Sequence, residues 1–444
     1  MKNSKMYLVL KALFLSFLLM NGILWSQQNI HKSEIKELVG KDSDRLKETY
    51  KDLHRNPEIA HNEFRTAGII AKELKALGYE VITGIAKTGV VGILRNGEGP
   101  VVMYRADMDC NGVLEVTGLP YASDKTFEMP DGSTLPLMHA CGHDAHVTWM
   151  LGAAKILAGM KDKWKGTLVF LGQPAEEDGT GAQEMIKDGL YEKGCPIPDY
   201  YLGFHTAPLP TGMVAGKPGR WQAGMDQIDV IFKGIGGHGS MPNYTKDPVI
   251  MSAMAVIEYQ SIISRGIDPQ NSAVLTVGSI QAGTDNNVIP SDALVKINLR
   301  WFENADRELM VKGIERINRS IAYAYNMPED MYPEMIRKGW ASTLVNDSMM
   351  AGKIISVLND LLGEKNVMTD MNPLMGSEDF QHIVNENENH KYCYMMIGIA
   401  PPEMFQKAGG FPFTNHNGNF QVDLNAIPLG TEIAANSILE FFNK

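Results

Sequence analysis

The 444-residue chain has few cysteines, no excess of positive charge and, beyond its N-terminus, no apolar run long enough to span a bilayer. Four cysteines in a chain of this length do not predict a disulfide framework, although an exported protein could pair some of them. A formal net charge of −11 argues against a nucleic-acid partner, because such a partner needs a basic patch. Internal repeats and low-complexity tracts are also absent from the sequence. These absences favour a large globular protein with an ordinary buried core.

The N-terminus differs from the rest of the chain. Met1–Lys5 is basic, Met6–Trp25 is mostly apolar, and a polar stretch begins at Ser26. This pattern predicts a signal peptide over residues 1–27, and therefore an exported protein that is periplasmic or extracellular. An uncleaved membrane anchor is the alternative, whereas a cleaved chain is expected to have no stable membrane insertion.

The octet His139–His146 contains a thiol, three imidazoles and a carboxylate. Thiolates and imidazoles are ligands of zinc-type ions, and carboxylates bridge or orient them. The octet therefore favours a divalent-metal site over the alternative, in which Asp144 caps a helix and the histidines are ordinary polar residues. A helix is expected over residues 146–160. His143 and His146 would face the same side if both were helical, so either could serve the site.

Polar side chains follow three apolar runs that are predicted strands of one buried sheet. They are Asp107 and Asp109 after residues 100–104, Glu176 and Glu177 after residues 167–172, and His205 at the end of a strand over residues 200–205. Side chains at the carboxyl ends of such strands are expected to converge on a site. Adjacent glutamates would repel each other unless a metal supplied positive charge, and one could bind it while the other moved protons. The alternatives are a solvated acidic loop and a structural histidine.

A different pattern interrupts the α/β alternation over residues 223–338. The predicted elements there follow the order β-α-β-β-α-β, which is typical of a small ferredoxin-like domain with two layers. We therefore predict one α/β domain formed by residues 28–222 and 339–444, with residues 223–338 inserted. A glycine-rich loop of the insertion contains His238, and a later loop of the first domain contains His416.

Nine short motifs occur one after another between about residue 45 and residue 420. They are Arg55–Glu58, Arg105–Asp109, Thr117–Tyr121, His139–His146, Gln173–Glu177, Gly237–Gly239, Asn287–Pro290, Gly376–Phe380 and His416. In their order and coverage they resemble the aminoacylase-like family of dinuclear metallohydrolases. Within it, the chain is similar to the amidohydrolase branch of hippurate hydrolases, acetyl-diaminopimelate deacetylases and plant hormone–amino-acid conjugate hydrolases. The chain departs from the family pattern at Cys110–Gly112, where the family usually has Ala-Leu-Pro.

The resemblance implies a three-layer α/β metallohydrolase domain with a mixed sheet, and an inserted ferredoxin-like domain that acts as a lid and forms a homodimer. It implies two divalent ions, for which thiolate favours zinc and the branch suggests manganese. Glu176 would be the general base, and His238, assisted by Asn287, would bind the substrate carbonyl in its own or a neighbouring subunit. The implied metal ligands are Cys141, His143, Glu177, His205 and His416.

The expected activity is hydrolysis of the amide bond of small N-acyl amino acids by a metal-activated water. Two alternatives stay open on the sequence alone. One is a metallocarboxypeptidase or dipeptidase that acts on short peptides, and the other is a metal-loaded binding protein without catalysis. The preferred acyl group and amino acid are not predicted.

Overall fold

The computed structural model describes residues 31–384 and 391–442. The predicted signal peptide lies outside these residues. Across the described part of the chain, no helix combines the length and apolar character that a membrane crossing requires. The four cysteines are all described, buried and unpaired.

Helices and strands alternate along most of the chain. The helices are α1 (residues 31–55), α2 Phe64–Ala76, α3 His143–Gly159, α4 Gly181–Lys187, α5 Pro248–Ser261, α6 Asn304–Ala324, α7 Ser348–Leu362, α8 Pro402–Ala408 and α9 Ala426–Leu439. The strands are β1 Glu80–Ile85, β2 Gly89–Asn96, β3 Val101–Asp107, β4 Thr126–Glu128, β5 Thr134–Pro136, β6 Gly166–Gln173, β7 Tyr200–Pro210, β8 Val214–Ala215, β9 Gly219–Gln222, β10 Gly224–Lys233, β11 Gly237–His238, β12 Val274–Ala282, β13 Val288–Ile289, β14 Asp292–Trp301, β15 Glu334–Ala341, β16 Leu344–Asn346, β17 Val367–Met368 and β18 Lys391–Ala400.

An eight-stranded mixed sheet forms the centre of the larger domain, in the order β1-β2-β6-β3-β7-β18-β8-β17. Strand β3 pairs in parallel with β6 and β7, and β7 pairs in parallel with β18. The carboxyl ends of these four strands therefore meet at one edge of the sheet, which is where α/β proteins place their sites.

Both faces of this sheet are buried. Leu168 and Phe170 of β6 pack in an apolar cluster with α2, α3 and α9, whereas Val169 and Leu171 pack in a second cluster with α4. Alternate residues of a strand point to opposite faces, so a strand covered on both sides is apolar throughout. The predicted α/β fold with a mixed sheet between two helical layers is confirmed.

The second sheet is antiparallel, with the strand order β12-β14-β10-β15. Helices α5 and α6 pack with it, giving the chain order β10-α5-β12-β14-α6-β15. Ile228, Val230 and Phe232 of β10 alternate along the strand and are all buried in the core of this unit. The elements thus follow the β-α-β-β-α-β order that the sequence predicts for the insertion.

Two local expectations were wrong. Strand β7 does not end at His205 but continues to Pro210, because β18 pairs beside it as far as the Ala400–Pro210 pair. Helix α3 begins at His143 rather than His146, directly after Gly142, whose φ of 83° suits glycine. His143 and His146 are therefore both helical and lie on one face of α3.

Candidate metal centre

The five predicted metal ligands come together at the carboxyl edge of the large sheet. Potential ligand atoms of Cys141, Glu177 and His416 all lie within 4.8 Å of one another. Cys141 Sγ is 3.5 Å from His205 Nε2, and His143 Nε2 is 3.7 Å from Glu177 Oε1. Residues that are 275 positions apart in the chain thus converge because β6, β7 and the start of α3 meet at this edge.

Glu177 lies at the centre of the group. Its Oε1 faces His143, whereas its Oε2 is 3.2 Å from His416 Nε2. The two oxygens of this carboxylate thus face two different histidines, and either oxygen could bind a divalent cation held beside them. Glu176 and Glu177 are mostly buried, so the solvated acidic loop does not form.

Several buried polar atoms of the group have no hydrogen-bond partner among the described residues. They include Nε2 of His143 and Oε1 of Glu177. Leaving such an atom unpaired costs roughly 1–3 kcal/mol, and a bound cation removes that cost for its ligands. The thiolate, imidazole and carboxylate donors therefore fit a divalent ion such as zinc or manganese.

The two helical histidines differ in what their ring nitrogens contact. His146 Nδ1 lies 2.5 Å from Asp107 Oδ1, and its Nε2 accepts the backbone N–H of Thr206 at 2.9 Å. Both nitrogens of His146 are occupied by these contacts. His143 Nδ1 lies 3.3 Å from Asp109 Oδ1, but its Nε2 has no hydrogen-bond partner among the described residues and faces Glu177. The geometry therefore favours His143 as the ligand and gives His146 a supporting place behind it.

His205 is oriented by the backbone. Its Nδ1 donates to the carbonyl of Thr206 at 2.7 Å, which leaves Nε2 free on the side that faces Cys141. Cys141 Sγ also accepts a hydrogen bond from Asn415 Nδ2 at 3.3 Å. Contacts of this kind fix the ring orientation of a metal-binding histidine and stabilise a thiolate.

The adjacent glutamates differ in proton affinity. Burial, followed by the negative charges of Glu378 and Glu177, raises the pKa of Glu176 well above its usual range. Burial also opposes ionisation of Glu177, but the hydrogen bond from His416 and the charge of His143 outweigh it and lower that pKa to about 2. Glu176 is thus suited to holding a proton and Glu177 to binding a cation.

A cavity of about 600 Å³ opens beside these residues. Arg300 enters it from the insertion, where its guanidinium donates to Asn298 Oδ1 at 2.8 Å and to Ser377 Oγ at 2.6 Å. The rest of the wall is largely apolar and rich in methionine. Its apolar members include Leu209, Met225, Met371, Leu374, Met375 and Met396.

His238 and Asn287 lie together but do not line this cavity. The backbone N–H of Gly239 donates to the carbonyl of Asn287 at 2.7 Å, and His238 is exposed. His238 Nδ1 accepts the backbone N–H of Ser240 at 3.1 Å. The structure thus brings together the five ligands and Glu176 but leaves these two residues apart from them.

Sequence reasoning missed the buried network beneath the site. Arg105 is 1% exposed and donates to Asp107 at 2.7 Å, to Glu378 at 2.8 Å and to Asp379 at 3.1 Å. Tyr394 donates to the second oxygen of Glu378. The motifs Arg105–Asp109 and Gly376–Phe380 marked these segments but gave no sign that they would bond to each other.

A profile of Peptidase family M20/M25/M40 matches residues 103–440. The chain is 36% identical to the hippurate hydrolase of Campylobacter jejuni over 370 residues, which is 81% of this chain and 92% of that protein. It is 30% identical to thermostable carboxypeptidase 2 of Saccharolobus solfataricus over 93% of this chain and 98% of that protein. The Bacillus subtilis YXEP protein, a dinuclear metal binding peptidase, has a similar structure with a TM-score of 0.68 at 25% identity, covering 91% of this chain and 99% of that one.

Proposed function

Because this chain belongs to Peptidase family M20/M25/M40, whose members are metal-dependent hydrolases of amide or peptide bonds, we propose that it hydrolyses the amide bond of N-acyl amino acids. The observation that carries the proposal is the convergence of a thiol, imidazoles and a carboxylate on one point, with a second carboxylate beside them. The relatives named hippurate hydrolase and N-acetyl-L-cysteine deacetylase support this class of substrate.

We assign two divalent ions to this site, either zinc or manganese. Bound there, they supply a water of lowered pKa and a Lewis acid for the substrate carbonyl. The relative described as a dinuclear metal binding peptidase supports the number of ions. The ligands in this proposal are Cys141, His143, Glu177, His205 and His416.

Glu176 is the general base of the proposed reaction. Its carboxylate takes a proton from the attacking water and delivers it to the nitrogen of the leaving amine. The location of its Oε2, 3.9 Å from His143 Nε2 and therefore beside the candidate ligands, supports this role. Arg300 would bind the substrate carboxylate, because its charge faces the cavity and its hydrogen-bond partners are neutral.

His238 would bind the substrate carbonyl in the site of a neighbouring subunit, with Asn287 beside it. His238 does not line the cavity of its own subunit, which supports this arrangement. The insertion also offers a surface for a homodimer: β12 is an edge strand with exposed Val274 and Ile280, and α5 exposes Ile257. A dimer formed through this domain would bring two glycine-rich loops towards two cavities.

Export of the protein is also part of the proposal. The basic and apolar N-terminal segment supports it, and a cleaved signal peptide would leave a mature chain that begins near residue 28. Sequencing the N-terminus of protein recovered from the periplasm or medium of a bacterial host would test this. Protein retained in the cytoplasm with its first 27 residues intact would contradict it.

A peptidase acting on short peptides is the second candidate function. The similarity to thermostable carboxypeptidase 2, which extends over nearly the whole chain, favours it. Both candidates use the same metal centre and base, so a substrate panel distinguishes them. Release of free amine from N-acetyl and N-benzoyl amino acids would support the acyl-amino-acid proposal, whereas release from dipeptides alone would support the peptidase.

The decisive variant is Glu176→Gln. We expect it to keep the metal content of the wild type and to lose about 10²–10⁴-fold in kcat, because only the proton transfer is removed. Glu48→Gln, an exposed substitution on α1, is the matched control and should behave like the wild type. Treatment of the wild type with a chelator should also abolish turnover. A Glu176→Gln enzyme that is fully active would show that the base has been assigned wrongly.

A further inference from the structure

Ala175 turns the chain between β6 and the two adjacent glutamates. Its φ is +51°, a left-handed conformation that costs a non-glycine residue about 1–3 kcal/mol. In an extended strand, Glu176 and Glu177 would point to opposite faces. Because the chain turns at Ala175 instead, their carboxylates lie 3.9 Å and 3.7 Å from the same atom, His143 Nε2. The strained turn is therefore what allows consecutive side chains to share one site.

The carboxylate of Glu63 holds this turn from below. Glu63 is fully buried, and its Oε1 accepts the backbone N–H of Ala175 at 2.9 Å and that of His61 at 3.0 Å. Its Oε2 accepts the hydroxyl of Thr88 at 2.7 Å. His61 has a φ of +62°, so both amides bound by Oε1 belong to non-glycine residues in left-handed conformations.

The chain on the far side of Ala175 is fixed by other contacts. The carbonyl of Ala175 accepts the N–H of Gly181 at 3.1 Å, and Glu177 N–H donates to Asp109 Oδ2 at 3.0 Å. A Cβ at Gly181 would lie 1.7 Å from the carbonyl oxygen of Pro174, so the two ends of the loop are in close contact. Glu63 supplies the acceptor for the one amide at the strained position itself.

We propose that Glu63 is a positioning residue of the active site. Its buried carboxylate keeps Ala175 in the left-handed conformation and thereby directs Glu176 and Glu177 to the same face. Glu63 does not line the cavity, so it acts through the backbone and not on the substrate. The inference rests on the proposed function for the roles of the two glutamates.

The test compares removal of the carboxylate with relief of the strain. Glu63→Ala should lower kcat by roughly 100-fold, since small misplacements of catalytic groups have effects of this size, and should change KM little. Glycine adopts positive φ without the Cβ penalty, so adding Ala175→Gly to Glu63→Ala should restore kcat by about tenfold. Ala175→Gly alone should stay close to the wild type.

Two conservative variants separate positioning from a general loss of stability. Glu63→Gln keeps an Oε1 acceptor for both amides, and its new amide can donate to Thr88, so it should retain most of the wild-type kcat. Thr88→Val removes the Oε2 contact but neither amide bond, and should therefore also stay close to the wild-type kcat. If Glu63→Ala does not fold, Glu63→Asp replaces it, with a smaller loss that Ala175→Gly should again reverse.

Two further readouts do not depend on turnover. Hydrogen exchange at the Ala175 amide should be faster in Glu63→Ala than in Glu63→Gln. Glu63→Ala should also contain less metal than Glu63→Gln, because Glu177 is misplaced in it. A Glu63→Ala enzyme with wild-type kcat and exchange, or a loss of kcat that Ala175→Gly does not reverse, would overturn the proposal. If no acyl amino acid is hydrolysed by any variant, the proposed function fails, while exchange and metal content still decide the role of Glu63.

Discussion

The two sheets of the molecule treat their buried polar side chains differently. In the insertion, Asp226 is fully buried, but it accepts hydrogen bonds from Arg307 at 2.7 and 2.8 Å and from Trp301 at 3.0 Å. At the edge of the large sheet, His143 and Glu177 are buried with nitrogen and oxygen atoms that have no such partner. Asp226 is a buried charge whose partners satisfy it, whereas grouped buried atoms without such partners fit a site that binds a cation.

Backbone strain is distributed in the same way. Among the described residues, the non-glycine positions with positive φ in the larger domain are His61, Ala86, Lys87, Ala175 and His416. The insertion has Asn326, and asparagine tolerates this conformation. His416 is itself a candidate ligand, and its backbone N–H donates to the carbonyl of Ala140 at 2.8 Å. Ala86 and Lys87 form the turn between β1 and β2, whereas Ala175 and His416 lie beside or among the candidate ligands. Part of the strain in the larger domain is therefore located where the side chains converge.

The largest effect should come from removing an unsatisfied group. His143→Ala should lower metal affinity by more than about 100-fold and abolish turnover, because it deletes a ligand and leaves the neighbouring carboxylates unbalanced. Metal analysis of the purified variant and its activity would measure this. Asp226→Asn is the matched control in the insertion, where lost hydrogen bonds should lower thermal stability without changing metal content. Equal metal content in wild type and His143→Ala would show that the unpaired atom of His143 does not bind a metal, and the two regions would then not differ in this respect.

An intermediate effect is expected from the exposed histidine of the insertion. His238→Asn should lower kcat by about 10²–10³-fold, the usual effect of losing a donor to a developing oxyanion, and should leave stability and metal content unchanged. These three quantities can be measured on one preparation.

Mixing two inactive variants tests where His238 acts. In a dimer of His238→Asn with Glu176→Gln, one site would contain an intact Glu176 and receive an intact His238 from the partner. With random assembly, recovery to roughly a quarter of wild-type activity is expected. Absence of any recovery in proven mixed dimers would place His238 in the site of its own subunit.

Most of the fold, and the edge of the sheet at which the candidate ligands meet, could be predicted because their signals are local. Apolar strands followed by carboxylates or histidine, and the octet that leads into α3, predicted the edge at which Cys141 and Glu177 meet. The residues alone could not distinguish His143 from His146, because the difference depends on what each ring nitrogen contacts, and only the family resemblance pointed to His143. Arg105 and Glu378 are 273 positions apart, so no local pattern shows that they bond. The positive φ of Ala175 could not be predicted from the sequence either, because alanine does not indicate a left-handed backbone conformation.

The smallest effect concerns a buried histidine of the larger domain that, like Asp226, is fully paired. His54 Nδ1 lies 2.7 Å from Asp144 Oδ2, and its Nε2 lies 3.3 Å from Glu115 Oε1. Burial opposes its charge, but the hydrogen bonds to Asp144 and Glu115 outweigh it and raise the pKa of His54 to about 9.

An unfolded histidine has a pKa of about 6.5, so the folded state of this protein binds the proton more tightly. The resulting stabilisation is fully present below pH 6.5 and is lost as the pH rises through 9, and it amounts to about 3 kcal/mol. Denaturant unfolding of wild type and His54→Gln from pH 6 to pH 10 measures it, and their difference in unfolding free energy should shrink across that interval. If the unfolding free energies of wild type and His54→Gln instead changed in parallel with pH, His54 would be neutral in the folded protein. Its contacts with the two carboxylates would then not satisfy a buried charge in the way that the partners of Asp226 do.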